Sequence, residues 1–327
     1  MTTKLELAPD VLAQSAALII ARVTGETTRA IVKIETGVMT HKYLVSAQGN
    51  EQFVVRFYPR ARSFVVEYEP DIVRRCRAHG VRVPEVIADS RSGPSAGLAY
   101  MAYRMIPGTT LQERIEKGVQ TEFGLVCPEI VAQLQLLGEI RMEGYGDVLN
   151  GTRAASPTWI EFMQKSFAAG LSAAIARHLL TPAHVDAITV IRKCLDVFAA
   201  PESARLAWGD FSPENVIVDQ RGQLAGFVDF EGVVAADFDL SLGYLRARYA
   251  ASHFYSAMVR HWPSRCPGEP RTALYALVRA LRLLPHSGEP LPVGCEREPI
   301  EVFLPDIGSA VDEVLAWVRR RQPSVGG

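Results

Sequence analysis

The chain has 327 residues, 48% hydrophobic and 22% charged, with Lys+Arg 35 against Asp+Glu 36 and a formal charge of -1. At ~100–200 residues per domain this allows two domains or one two-lobed domain. It excludes a disordered chain and leaves no bulk positive field to hold nucleic acid or an anionic membrane surface.

Glu6 and Asp10 precede any apolar run, which argues against a signal peptide, and no apolar stretch approaches the ~18–20 residues of a membrane helix. A cytoplasmic protein is expected. Asp10 reads as the cap of a first helix whose apolar positions Leu12, Ala16, Ile19, Ile20 and Val23 share one face, with Gly25 as its stop. The runs IVKIET, HKYLVSA and QFVVRF, split by Gly37 and by Gly49-Asn50, then predict an antiparallel meander. A helix is expected from Glu67 to Ala78, ending at His79-Gly80, and a further strand in Gly97–Ile106. Pro107-Gly108 marks the boundary between an N-terminal lobe, residues 1–106, and a mainly helical C-terminal lobe, residues 107–327.

In the second lobe Pro128 suits the first turn of a helix, and Ile130, Leu134, Leu137 and Arg141 continue one face toward Gly144. A compact β signal returns in ARLAW, NVIVD and LAGFVDF. The last strong helix carries Ile307, Val311, Val314, Leu315 and Val318 on one face before Arg319-Arg320-Arg321. The five cysteines, Cys76, Cys127, Cys194, Cys266 and Cys295, are dispersed without a C-x-x-C pair, so reduced thiols are expected rather than a zinc site or a disulfide framework.

The chemistry concentrates in LAWGDFSPENVIVDQRGQLAGFVDFEG, where Asp210, Asn215 and Asp229 are spaced so that a loop and a following hairpin bring them together. Phosphoryl transfer needs a carboxylate for the acceptor proton and oxygen ligands for Mg²⁺ on the nucleotide phosphates, and these three residues can supply both. Taken singly, Asp210 and Asn215 could equally order a strand connection through an Asx turn.

The segment resembles the aminoglycoside phosphotransferase and choline kinase-like superfamily, in which a His-Gly-Asp loop ends in Asn, a hairpin closes on Ile-Asp-Phe or Ile-Asp-Trp, and an Asp-Leu pair opens a helix. Trp208-Gly209-Asp210, Asn215, Val228-Asp229-Phe230 and Asp239-Leu240 are similar to these, over roughly residues 25–250. The resemblance implies an α+β, bilobal protein-kinase-like fold with a small antiparallel-sheet N-lobe and a larger mainly helical C-lobe. It implies Asp210 as catalytic base, Asn215 and Asp229 as Mg²⁺ ligands, and ATP or GTP as phosphoryl donor. It also implies that Arg56 stands for the nucleotide-anchoring Lys, paired with Glu69, with Glu67 the alternative. Thr36, Gly37 and Thr40 would form the turn over the phosphates, and Met101 and Tyr103 would lie on the strand leading to the adenine.

Trp208 stands where the family usually has His, so that hydrogen bond of the loop is expected to be lost. Asp237 and Asp239 lie closer together than the family's pair, which suits a helix cap. Glu296, Glu298, Glu301, Asp306, Asp312 and Glu313 could hold a cationic amino sugar or form a solvated face. The expected protein is a kinase of a hydroxyl group on an aminoglycoside-like antibiotic, monomeric or homodimeric. The alternatives are a metabolic kinase of a sugar, homoserine-like or choline-like acceptor, and a nucleotide-binding module without catalysis.

Overall fold

The computed structural model describes residues 9–35, 39–94, 97–119, 122–263, 268–286 and 303–321. Helix α1 (Pro9–Thr24) leads into strands β1 (Thr28–Ile34), β2 (His41–Ala47) and β3 (Gln52–Tyr58). A 3-10 segment, Arg60–Glu67, precedes α2 (Glu69–Ala78), and β4 (Val86–Asp89) and β5 (Ala99–Arg104) complete an antiparallel five-stranded sheet in the order β1-β2-β3-β5-β4. Asp10 lies in the first turn of α1 rather than capping it, and Glu67 ends the 3-10 segment before α2 begins.

The period-2 alternation of strand side chains assigns the two faces of this sheet. Phe53, Val55, Phe57, Tyr100 and Ala102 pack with Leu12, Ala16, Ile19 and Ile20 of α1. Burial of each such Leu or Ile is worth about 1.5–3 kcal/mol, which holds α1 to the sheet. The intervening residues Val54, Tyr58, Met101 and Tyr103 join a second core that extends into the C-terminal lobe. Arg56 lies on this inner face, paired in register with Lys42 of β2 and Met101 of β5.

The second lobe continues with β6 (Thr109–Thr110), α3 (Leu111–Glu116), α4 (Phe123–Leu137), β7 (Tyr145–Val148), β8 (Ala154–Ser156), α5 (Trp159–Ala176) and α6 (Pro182–Lys193). Then come β9 (Arg205–Trp208), β10 (Val216–Val218), β11 (Leu224–Phe227) and β12 (Val233–Ala236). Helices α7 (Asp239–Tyr249), α8 (His253–His261), α9 (Arg271–Leu283) and α10 (Leu304–Arg321) close the lobe. Two expectations for α4 are corrected: Pro128 lies inside the helix, and the helix stops at Leu137, so Arg141 does not continue its face. The residue four before Pro128 is Gly124, which has no side chain to add to the crowding of the proline ring against that turn.

The β signal around the motif is also divided differently from its appearance in sequence. β10 and β11 form the expected hairpin and pair with β6, whereas β9 joins β12, β7 and β8 in a separate sheet. The two sheets converge on the segment between β9 and β12. Behind them α5, α7, α9 and α10 share one apolar core. Among the described residues no helix is long and apolar enough to cross a membrane.

Candidate active site

Two connections meet at the ends of these strands: Gly209-Asp210 after β9, and residues 228–232 after β11. Their approach requires glycine on both sides. A Cβ on Gly209 would stand 2.5 Å from the Gly232 carbonyl oxygen, and one on Gly232 would stand 2.6 Å from the Asp210 Cβ. The Asn215 side-chain amide donates to the Asp210 carbonyl at 3.0 Å. The Asn215 carbonyl in turn accepts the Val228 N–H at 3.0 Å, which ties the loop to the end of the hairpin. Asp210, Asn215 and Asp229 are thereby brought together as their spacing predicts.

Trp208 anchors this arrangement. Its indole is fully buried, stacks on Phe230 with 5.1 Å between ring centroids, and donates from Nε1 to the Asp229 carbonyl at 3.1 Å. The expected loss of a hydrogen-bond donor at this position is therefore corrected: the indole N–H supplies one. Asp229 adopts φ 70°, a left-handed conformation uncommon for a non-glycine residue. The bond to its own carbonyl and the Phe230 N–H donated to Glu69 at 2.9 Å fix the backbone on both sides of it.

Arg56 reaches the same point from the sheet. Its guanidinium, 2% exposed, lies 2.8 Å from fully buried Glu69, 2.9 Å from Asp229 and 2.7 Å from Glu231. Its Nε donates to the Thr40 hydroxyl at 2.9 Å. The Tyr58 hydroxyl donates to Glu69 at 2.6 Å, Lys42 lies 3.5 Å from Asp229, and Arg62 lies 2.8 Å from Glu231. Three carboxylates thus share three cations. Burial raises the Asp229 carboxyl, but Arg56 and Lys42 more than offset it and hold the group below its ordinary value. Glu231, with burial the largest influence, is pushed up to about 7.

Of the other predicted positions, Met101 and Tyr103 lie buried on the inner face of β5. Glu67 is exposed and away from Arg56, leaving Glu69 as its partner. Thr36 and Gly37 lie outside the described residues. So do Glu296, Glu298 and Glu301 of the acidic cluster, whereas Asp306 and Glu313 are engaged by Arg246 at 3.2 and 2.9 Å.

The oxygen donors suit Mg²⁺, which prefers carboxylates and phosphate oxygens to a dedicated protein cage. Asp229 Oδ1 is buried without a hydrogen bond of good geometry. Among the described residues no three His, Cys, Asp or Glu side chains form a self-contained metal site. An ion at Asp229 and Asn215 would therefore take its remaining ligands from nucleotide phosphates and water.

Lys42, Glu231 and Arg279 belong to the site but were missed in sequence. Arg279 of α9 meets the Asp210 carboxylate at 3.0 Å and lies over the Tyr244 ring at 5.1 Å. Two cations, Arg279 and Arg282, within the otherwise apolar TALYALVRALRLL were the available signal, since most residues around them are buried. Lys42 could have been found from its register with Arg56.

Deeper in the lobe, Asp237 accepts the Tyr275 hydroxyl at 2.8 Å and the Asp239 N–H at 3.0 Å, while the Trp159 indole donates to Tyr275 at 2.7 Å. These bonds tie α5, α7 and α9 together behind the loop that carries Asp210. Burial, opposed by Arg271 and reinforced by Asp239, pushes the Asp237 carboxyl from 3.8 up to about 6. The folded state therefore holds a proton that the unfolded chain releases between these values. This contribution to stability is fully present below the unfolded value and is lost as pH rises through about 6, a change of about 2–3 kcal/mol between pH 4 and 8. Asp237→Asn keeps an oxygen acceptor and removes the titration. Urea unfolding should show the variant gaining that amount relative to wild type between the two pH values; an unchanged difference would remove Asp237 as the cause.

Residues 30–275 match the sequence profile of a family described as the phosphotransferase enzyme family. No curated protein sequence matches the chain. Among solved structures, aminoglycoside phosphotransferase APH(4)-Ia is similar with 19% identity and a TM-score of 0.65, the match covering 95% of this chain and all of that one. A thermostable mutant of it, in a ternary complex with AMP-PNP and hygromycin B, matches with 18% identity and a TM-score of 0.66 over the same shares, 95% and 100%. A Thermobifida fusca protein provisionally assigned as a fructosamine-3-kinase matches with 16% identity and a TM-score of 0.65, covering 92% of this chain and 99% of its own. At these identities the likeness is one of fold, the bilobal protein-kinase-like architecture.

Proposed function

Because the chain belongs to the phosphotransferase enzyme family, we propose that it transfers the γ-phosphoryl group of ATP or GTP to a hydroxyl of a small molecule. The observation that carries this function is the meeting of Asp210, Asn215 and Asp229 on one side with Arg56 and Glu69 on the other. In the transfer the acceptor oxygen forms a bond to the γ-phosphorus. The bond from that phosphorus to the β,γ-bridging oxygen breaks, its electron pair leaves with the nucleoside diphosphate, and the hydroxyl proton passes to the Asp210 carboxylate. Arg56 and Lys42 are positioned to receive phosphate charge, Arg56 through a planar fork suited to two oxygens. Mg²⁺ held by Asn215 and Asp229 would neutralise the transferring group.

Thr36, Gly37 and Thr40 are assigned to the turn over the phosphates, Thr40 also accepting the Arg56 Nε–H. Met101 and Tyr103 are assigned to the strand that leads to the adenine, β5. A division of the lobes between residues 106 and 107 is supported by the Met105 N–H, which donates to the Gln52 carbonyl at the start of β3. The protein is assigned to the cytoplasm as a monomer or homodimer.

Two acceptor classes follow. The relation to APH(4)-Ia in fold supports an aminoglycoside-like antibiotic. The second is a metabolic sugar, homoserine-like or choline-like acceptor, of which Arg279 beside Asp210 favours the first two over the choline-like cation. The test is mass spectrometry of purified protein with Mg²⁺, ATP or GTP, and a mixed panel of aminoglycosides, other hydroxylated antibiotics, sugars and amino alcohols, with Asp210→Asn as control. A phosphorylated product absent from the control is expected. Nucleotide binding with no Asp210-dependent transfer or hydrolysis would point instead to a non-catalytic module.

A further inference from the structure

We propose, resting on the kinase function above, that the acceptor carries an anionic group, a carboxylate or a phosphate, recognised by Arg279 and Arg282 of α9 beside the catalytic loop. Three arginines from two packed helices lie near one another beside residues 210–215. Arg279 contacts Asp210 at 3.0 Å, and Arg282, one turn further along α9, contacts Asp147 at 3.0 Å. Arg248 of α7 lies 3.8 Å from Glu214, the residue immediately before Asn215.

The charges on this side are unequal in how firmly they are held. Asp147 and Glu214 are 65% and 53% exposed, so water competes with the arginines for them and each can turn aside at little cost. Arg279 is 19% exposed and cannot follow them into solvent. Burial lowers its pKa, Asp210 and Tyr244 oppose that, and Arg248 and Arg282 lower it further, so the three arginines lie close enough to feel one another's charge. A second observation lies beside it. The Tyr244 ring lies under Arg279 and beside Gly209, and its buried hydroxyl faces Arg282 without a hydrogen bond of good geometry. Two guanidinium forks and a phenol donor suit a planar carboxylate or a phosphate. They would repel a polycation, and the nearby carboxylates of α10, Asp306 and Glu313, are already taken by Arg246. Held in this way, an anionic substituent would anchor the acceptor while its hydroxyl faces Asp210.

Matched pairs of acceptors separate charge from shape: D-gluconate with D-glucitol, and glycerol 3-phosphate with glycerol, alongside kanamycin and hygromycin B. Nucleoside diphosphate release is measured for wild type, Arg282→Gln and Arg282→Lys, with Mg²⁺-ATP binding followed by calorimetry in the same samples. The anionic member of at least one pair should be turned over with kcat/KM about 10–100-fold above its neutral counterpart, as expected for charge-assisted hydrogen bonds. Arg282→Gln should remove that advantage through KM with kcat little changed, and Arg282→Lys should restore part of it. The pair that responds identifies carboxylate or phosphate. Turnover of an aminoglycoside that Arg282→Gln leaves unchanged or improves would overturn the proposal. So would the absence of any anion-stimulated release while ATP still binds and is slowly hydrolysed in an Asp210-dependent way, a result that leaves the kinase function standing. Loss of ATP binding in the wild type would overturn both.

Discussion

Asp210→Asn is expected to lower kcat by about 10²–10⁴-fold, the usual contribution of a positioned general base, while the nucleotide affinity stays within about 3-fold of wild type. The asparagine side chain is nearly the same size and can still fit against Gly232. It cannot accept the acceptor's proton, and it withdraws the only carboxylate found within 4 Å of Arg279 among the described residues. Product formation followed by mass spectrometry, with calorimetry for Mg²⁺-ATP, checks the two halves separately. Full activity in the variant would remove Asp210 from the role of base. A parallel loss of nucleotide affinity would instead indicate collapse of the loop, because the Asn215 bond to the residue-210 carbonyl does not depend on the side chain there.

Arg56→Ala should have the largest effect on folding. It strips one guanidinium from Glu69, Asp229 and Glu231, of which Glu69 has no exposure to water at all. Removing one partner of a buried ion pair typically costs about 3–5 kcal/mol, because the remaining charge is left uncompensated. Urea unfolding at neutral pH should show a loss of that order. The deficit should narrow as pH falls, because the unpaired carboxylates can then take up protons in the folded state. Their raised folded values contribute stability at low pH that is lost as pH rises through them. Arg56→Lys should recover part of the stability, since an ammonium keeps the charge but lacks the fork that meets several oxygens together. A deficit independent of pH would mean that lost packing, and not stranded charge, is the cause.

Much of this site was legible in the sequence because its parts obey local rules. Asp210, Asn215 and Asp229 are fixed by one loop and one hairpin within twenty residues of chain, and the pairing of Arg56 with Glu69 follows from a strand followed by a helix. The meander and the amphipathic helices were legible for the same reason. What escaped was set by distant contacts. β6 has two residues and β7, β9 and β12 have four each, too few to show a period, and β12 finds its partners in segments before and after α5. Arg279 stands 69 residues from Asp210 on a helix with its own apolar pattern, so only the tertiary fold gives it a role. Pro128 was assigned to a first turn by a rule about helix starts that α4 does not follow.

The indole at position 208 changes what acidity can do to the catalytic loop. An imidazole donor in that place would titrate near pH 6.5, adding a positive charge beneath the Asp229 backbone as the solution becomes acidic. The indole N–H has no such equilibrium and donates alike at every pH at which the protein is folded. The bond from residue 208 to the Asp229 carbonyl is thus insulated from protons, and the acid-sensitive hold on this turn is the one from the other side, where the Phe230 N–H is donated to the Glu69 carboxylate.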